Sequence, residues 1–203
     1  MDWLSDRTKG QNRAVVCFYF DFAARKEQTA TSILGSLLKQ VISGMERVPE
    51  DISRGLQEQK RAVSGRKLQL GDIVKMLQLI TSSQRTFMII DALDECTPVQ
   101  RFRLFDSLKE ILEKSSDARI FVTGRPHIRA EIERCLAGRV RSVSVCPPKD
   151  DIIRFLRVRL GEDETPDAMD EELEAEILEK IPRSIPEMCV VVMMLRIQSY
   201  FTG

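Results

Sequence analysis

Three carboxylates stand within five residues of the sequence, directly after an apolar run. The run Phe87–Ile90 is followed by Asp91-Ala92-Leu93-Asp94-Glu95. Like charges about 4 Å apart near a protein surface repel by up to a few kcal/mol, so a nearby cation would relieve this cluster. Hard cations such as Mg²⁺ prefer carboxylate and phosphate oxygens. The cluster predicts a Mg²⁺ site or, alternatively, a solvated turn whose acids favour the dipole of the following helix.

A second polar group follows another apolar run. Residues 118–122 lead into Thr123-Gly124-Arg125-Pro126-His127. A guanidinium group binds phosphate oxygens well and stabilises the charge that develops during phosphoryl transfer. Together with the acidic cluster, Arg125 favours a nucleotide site, while a surface arginine at a turn is the alternative. His127 is interpreted as a residue at a helix start rather than as a catalyst.

The hydrophobic pattern predicts the scaffold that holds these groups. Short apolar, β-branched runs predict strands at 14–22, 86–91, 118–123 and 140–145. Apolar residues at helical spacing predict helices at 29–41, 70–80, 97–112, 128–136 and 150–160, with a weaker one at 51–62. This alternation predicts an α/β fold with a parallel sheet flanked by helices. Ligands of such sheets bind beyond the carboxyl ends of the strands, where both polar groups lie. We therefore expect Asp91 and Arg125 to follow neighbouring strands at the same edge of the sheet.

The start of one helix is marked with particular clarity. The segment Thr97-Pro98-Val99-Gln100 places a capping residue before a proline that suits the first helical position. Gln100 stands three residues after Thr97, which is the spacing of a capping box. We therefore expect the side chains of Thr97 and Gln100 to cap this helix.

Charge is balanced over the 203 residues, with 31 Lys and Arg against 31 Asp and Glu. This balance disfavours a polybasic protein that coats nucleic acid. The basic stretch 119–159 carries ten Lys/Arg and four Asp/Glu, but its alternating Ser/Val strand has no aromatic platform for bases, so nucleic acid stays a disfavoured alternative. Residues 160–180 carry ten acids and one base. The shift predicts a core domain at 1–160, followed by an acidic linker and a short helical segment at 161–203.

The cysteines and the apolar runs indicate the compartment. Five widely spaced cysteines are odd in number and fit reduced thiols better than a disulfide framework or a zinc site. The longest apolar run, Met188–Leu195, has eight residues, whereas a membrane-spanning helix needs about 20. The N-terminal residues lack the pattern of a signal peptide. These observations predict a cytoplasmic protein with no membrane partner.

Three segments carry a family resemblance. Phe18-Tyr19-Phe20-Asp21-Phe22, Phe87–Cys96 and Phe121–Pro126 resemble the corresponding segments of NACHT-type (STAND) P-loop NTPases. More narrowly, they are similar to the nephrocystin-like N-terminal NACHT modules of fungal signal-transduction proteins, which often precede ankyrin repeats. The resemblance spans roughly residues 3–180. It implies a P-loop NTPase sheet and a nucleotide-dependent switch that binds Mg-ATP or Mg-GTP.

The resemblance also implies a role for each polar residue. Asp91 corresponds to the Walker B acid that holds Mg²⁺, and Asp94 and Glu95 match the acids that position or activate the attacking water. Arg125 matches the sensor arginine that faces the γ-phosphate, and Thr123 is expected beside it in the cofactor site. The family commonly has serine where this chain has Gly124, which implies a less constrained arginine.

One motif of the family is missing from this sequence. A Walker A loop has the pattern G-x-x-x-x-G-K-[ST], because its amides and lysine surround the phosphates, and no glycine here is followed by lysine. The resemblance therefore predicts a truncated module that binds no nucleotide tightly and hydrolyses none. Its expected partners are other domains of a longer protein or a second copy. The alternative is an interaction or scaffold fragment with no nucleotide role.

The missing motif also predicts a defect in the sheet. In the related NTPases, the strand that leads into the phosphate loop lies between the strand ending near Arg125 and the strand at Val140–Val145. Without that neighbour, we expect Val140–Val145 to be poorly paired, displaced or docked at an unsatisfied edge, because its backbone groups lose their partner.

Overall fold

The computed structural model describes residues 13–45, 48, 50, 52–54, 57, 68–136, 138–162, 170–184 and 190–195. The strands are β1 (Arg13–Tyr19), β2 (Arg85–Asp91), β3 (Ala118–Gly124), β4 (Val140–Val145) and β5 (Val190–Leu195). The longer helices are α1 (Ala30–Ser43), α2 (Leu70–Ser83), α3 (Pro98–Lys114), α4 (Arg129–Cys135), α5 (Lys149–Gly161) and α6 (Glu171–Arg183). Short 3-10 turns lie at Leu93–Glu95 and Pro126–Ile128. The predicted α/β fold is confirmed.

The predicted elements and the observed ones agree closely at most positions. The weaker helix predicted at 51–62 lies mostly outside the described residues. Among the helices that the structure does describe, none is both long and apolar enough to cross a bilayer.

The five strands form one mixed sheet in the order β1-β2-β3-β5-β4. Strands β1, β2 and β3 are parallel neighbours, whereas β5 runs antiparallel to both β3 and β4. The prediction of a parallel sheet is therefore correct for β1–β3 and wrong for the half that contains β5. Met193 and Leu195 of β5 are fully buried, so the apolar run that they belong to fills an interior position of the sheet.

Strand β4 lies at the edge of the described sheet and is paired along its whole length with one neighbour, so the expectation of poor pairing is wrong. All six of its residues pair with β5, from Val140 opposite Leu195 to Val145 opposite Val190. One strand does lie between β3 and β4, but residues 190–195 supply it, in the antiparallel direction. The backbone groups of β4 thus find partners in a segment that the sequence pattern did not assign to the sheet.

The core lies where α1, α2 and α3 pack on the parallel half of the sheet. Alternate strand residues are buried, as expected where successive side chains point to opposite faces. The largest fully buried side chains of these elements include Ile33, Leu34, Leu37, Ile73, Leu77, Ile80, Met88, Ile90, Leu104 and Phe105. Burial of each large apolar side chain contributes roughly 1.5–3 kcal/mol. This core fixes the carboxyl ends of β2 and β3.

The helix starts are capped differently from the prediction. Thr97 precedes α3 as expected, but its side chain makes no capping hydrogen bond. The side chain of Gln100 instead accepts a hydrogen bond from the backbone N–H of Ala30 at 3.0 Å, which ties α3 to the start of α1. A capping box forms at α1, between Thr29 and Ser32. The predicted capping box at α3 is therefore wrong.

Within the described part of the sheet, β1 is an edge strand, and one side chain covers its open side at Cys17. The backbone N–H of Cys17 donates to Gln40 Oε1 at 3.0 Å, and Gln40 Nε2 donates to the carbonyl oxygen of Cys17 at 2.8 Å. The amide of Gln40 thus replaces the hydrogen bonds that a neighbouring strand would make there.

The cysteines do not all match the prediction of reduced thiols. Cys17, Cys96 and Cys135 are free thiols, as expected. Cys146 is disulfide-bonded, so the prediction is wrong at that residue.

Candidate functional site

The acidic turn (Asp91–Glu95) and the arginine turn (Thr123–Pro126) meet at one edge of the sheet. Strand β2 ends at Asp91 and its parallel neighbour β3 ends at Gly124, with Ile90 directly beside Val122. The prediction that Asp91 and Arg125 follow neighbouring strands at one sheet edge is confirmed. The chain after β1 reaches the same edge, because the N–H of Phe20 donates to the carbonyl oxygen of Asp91 at 3.3 Å.

Thr123 joins the two turns through its hydroxyl group. The hydroxyl donates a short hydrogen bond to Asp91 Oδ1 and accepts one from the backbone N–H of Ala92 at 3.0 Å. Ala92 adopts a left-handed backbone conformation with φ of 56° and ψ of 45°. Such a conformation costs a non-glycine residue on the order of 1–2 kcal/mol. The bond from Thr123 helps to hold the acidic turn in this conformation.

Arg125 pairs with both remaining acids of the cluster. Its backbone N–H donates to Asp94 Oδ1 at 3.2 Å, and its Nε lies 3.3 Å from Asp94 Oδ2. Its Nη2 lies 3.9 Å from Glu95 Oε1. The Asp94 side chain is 7% exposed and that of Glu95 is 22% exposed, whereas that of Arg125 is 67% exposed. The guanidinium group therefore covers the acids and remains open to solvent.

Gly124 allows this close approach. A Cβ atom at this position would lie 2.5 Å from Ile128 Cδ1 and 3.3 Å from Asp94 Oδ1. A side chain would thus collide with the first and crowd the second. We expected that Gly124 would leave Arg125 less constrained, and this expectation is wrong. The small size of the glycine lets the Asp94 carboxylate reach residue 125.

These contacts show how the charge repulsion within the acidic turn is relieved. The hydroxyl of Thr123 bonds to Asp91, and Arg125 compensates Asp94 and Glu95. In the part of the chain that the structure describes, no three His, Cys, Asp or Glu side chains are arranged to hold a metal ion. A Mg²⁺ ion beside Asp91 would therefore take most of its ligands from water or from a bound phosphate.

A largely buried ion pair behind the two turns was missed in the sequence. Arg101 of α3 donates from Nε and Nη2 to the two carboxylate oxygens of Glu131 at 2.9 and 2.7 Å. Its Nη1 donates to the carbonyl oxygen of Cys96 at 2.9 Å. Arg101 thereby links the end of the acidic turn to α4, which follows the arginine turn. The sequence did contain one signal that Arg101 is buried. It precedes Leu104 and Phe105 by three and four residues, which places all three on the buried face of α3.

Cys96 lies directly after the acidic turn and is almost fully buried. Burial raises the pKa of its thiol from 9.0 to about 11, although the nearby guanidinium groups of Arg101 and Arg25 act to lower it. Removal of the thiol from water disfavours the thiolate, and this effect outweighs the two positive charges. The thiol is thus protonated at neutral pH and is a poor nucleophile.

A comparison with protein families identifies the family of this chain. Residues 1–125 match the sequence model of the family described as "Nephrocystin 3, N-terminal". The chain belongs to this family. A search of curated proteins finds no match to it.

The nephrocystin 3 N-terminal match contains every site residue predicted from the sequence. It covers β1, β2 and β3 and ends at Arg125, the last of those residues. The ion-pair partner Glu131 lies just beyond the match. His127 stands in the short turn before α4, in agreement with its interpretation as a residue at a helix start.

Proposed function

We propose that this chain of the nephrocystin 3 N-terminal family contributes to a NACHT-type nucleotide-switch module, and that its 203 residues hold the acidic and arginine sides of the site but no phosphate-binding-loop motif. The observation that carries the proposal is the juxtaposition of acidic and basic side chains at the carboxyl edge of parallel strands. Asp91 ends β2, and Arg125 follows the neighbouring strand β3. In this proposal Asp91 binds Mg²⁺, and Thr123 and Arg125 face the phosphates. Asp94 and Glu95 supply the acidic side of the site.

The charges of the site predict that nucleotide binds weakly. Three carboxylates stand beside one guanidinium group, so a triphosphate meets net repulsion unless Mg²⁺ accompanies it. One charge-assisted contact from Arg125 contributes about 1.5–3 kcal/mol. A millimolar dissociation constant already needs about 4 kcal/mol. We therefore expect binding of Mg-ATP and Mg-GTP no tighter than roughly 1 mM, and no hydrolysis.

A second candidate function is an interaction module with no nucleotide role. It is favoured by one observation, namely that Arg125 already pairs with Asp94 and Glu95 within the fold. In that case, the acidic turn and the arginine form a structural cross-link between β2 and β3, and the edge of the sheet recognises no phosphate.

Backbone amide NMR with Mg-ATP, Mg-GTP and Mg²⁺ alone distinguishes the two candidates, because it detects millimolar binding. We expect nucleotide-dependent shift changes at 91–95 and 123–125, and their loss in Arg125→Ala. The matched control is Arg85→Ala. Arg85 also pairs with an acid, Asp117 at 3.5 Å, but this pair lies where β2 and β3 begin, at the sheet edge away from the site. This control should keep the response.

Two other results would change the conclusion. An absence of localised shifts well above 1 mM nucleotide would favour the interaction module. A micromolar affinity in calorimetry that disappears in Asp91→Ala would keep the nucleotide role but contradict the weak binding. Phosphate release, measured on the same samples, tests the expected absence of hydrolysis.

A further inference from the structure

The two acids beside Arg125 have different surroundings. Both carboxylate oxygens of Asp94 are engaged by residue 125, Oδ1 by its backbone N–H and Oδ2 by its Nε. Glu95 makes one longer contact, at 3.9 Å to Nη2, and its side chain is about three times as exposed as that of Asp94. Asp94 is therefore bound to the arginine turn, whereas Glu95 lies beside the guanidinium at the surface.

We infer that Asp94 is a positioning residue that sets the direction of Arg125, and that Glu95 is the acid that faces a ligand. The role of Asp94 rests on geometry alone, whereas the role of Glu95 rests on the proposed function. An acid that activates water must reach that water with a lone pair. Each oxygen of Asp94 already has one lone pair engaged by residue 125, and because the side chain is only 7% exposed, water has little access to the lone pairs that remain.

The residues around Asp94 fit the positioning role. Gly124 provides the space in which the Asp94 carboxylate reaches the backbone N–H of Arg125. Pro126 follows Arg125 and restricts the backbone before it to extended conformations, and Arg125 has φ of −69° and ψ of 154°. The backbone of residue 125 is thus fixed from both sides, and the carboxylate also holds the first guanidinium nitrogen.

Three variants separate the role of Asp94 from that of its neighbour. Asp94→Ala removes both acceptors, and Asp94→Asn keeps an oxygen for the backbone N–H but removes the charge that holds Nε. Glu95→Gln is the matched control, because it removes the same charge one residue away. The readouts are hydrogen exchange of the Arg125 backbone N–H and the NMR signal of its Nε–H.

We expect exchange of the Arg125 N–H to become about tenfold faster or more in Asp94→Ala, as for loss of a charge-assisted bond. Asp94→Asn should retain most of this protection but accelerate exchange at Nε. Glu95→Gln should change neither. Unaltered protection in folded Asp94→Ala, or equal effects of Asp94→Asn and Glu95→Gln on Nε, would overturn the inference.

The nucleotide response tests the second part. If Mg-ATP shifts the Arg125 signals of wild type, Asp94→Asn should reduce these shifts. The double variant Asp94→Asn with Arg125→Ala should bind Mg-ATP no more weakly than Arg125→Ala alone. Glu95→Gln should instead change the Mg²⁺ dependence of binding. An unchanged Mg²⁺ dependence contradicts the role of Glu95. If wild type shows no nucleotide response, the proposed function fails, and the exchange data still decide the role of Asp94.

Discussion

At the scale of single residues, Cys96 connects the acidic turn to the stability of the fold. Its thiol has a pKa of about 11 in the folded protein, against 9.0 for an exposed thiol. Between these values the unfolded chain releases the thiol proton while the folded chain retains it. The protonated Cys96 thiol therefore contributes its full share to the free energy of unfolding below about pH 9, and this contribution is lost as the pH rises through 11.

This difference predicts a pH-dependent free energy of unfolding. A shift of this size corresponds to about 2 kcal/mol between pH ~9 and ~11. The measurement is urea unfolding of wild type and Cys96→Ala across this range, because subtraction removes the titration of lysines and tyrosines. We expect the stability advantage of wild type over the variant to shrink by about this amount. A difference that stays constant with pH would show that Cys96 does not titrate as inferred.

At the scale of elements, α3 and α4 are joined by the ion pair of Arg101 and Glu131. The two side chains are 9% and 17% exposed. Loss of one partner of a buried pair leaves the other charge uncompensated and costs about 3–5 kcal/mol. Arg101→Met should therefore lower the free energy of unfolding by an amount near this range, as measured by urea denaturation.

Two comparisons check this prediction. The double variant Arg101→Met with Glu131→Leu should recover most of the loss, because an apolar pair of similar size can replace a buried ion pair. Arg129→Ala breaks the exposed pair of Arg129 and Glu133 on the same helix and should cost less than about 1 kcal/mol. Equal losses in Arg101→Met and Arg129→Ala would contradict the structural role of the buried pair.

Local patterns predict most of these elements. The strands that end at the site are apolar runs with clear limits, and α1 and α2 show helical spacing of buried residues. The relation between Asp91 and Arg125 is also predictable, because parallel neighbours end at the same edge of a sheet. Such inferences depend on the residues of one segment and on the fold class.

Features that depend on contacts between distant segments are harder to predict. Gln100 has the spacing of a capping residue, yet it bonds to Ala30, which is 70 positions away. The run that forms β5 is apolar, but its direction depends on which neighbours it meets. The match of Arg101 with Glu131 likewise depends on the packing of two helices, and only the first of these residues shows a signal in the sequence.

At the scale of the whole molecule, the edge of β1 affects how copies of the chain interact. Gln40 satisfies the open N–H and C=O of Cys17. Unpaired groups at a sheet edge are a template for pairing with another chain. We expect Gln40→Ala to self-associate more than wild type in sedimentation velocity at matched concentrations.

Gln78→Ala is the control for this change. Gln78 also donates to a backbone carbonyl, that of Glu110 at 2.9 Å, but it links two helices and covers no strand edge. Its loss should leave the sedimentation behaviour unchanged. If both variants associate equally, general destabilisation rather than the open edge accounts for the effect.

The position of β5 has a consequence for the order in which the chain acquires its structure. Between the end of β3 at Gly124 and the start of β5 at Val190 lie more than sixty residues, yet the two strands are neighbours. A ribosome releases β1, β2 and β3 well before β5, and pairing across such a distance is slow. Until residues 190–195 emerge, β3 presents an open edge and β4 lacks the partner that it has in the finished sheet. The nascent chain thus passes through an interval in which one half of the sheet is complete and the other is exposed to chaperones and to neighbouring chains.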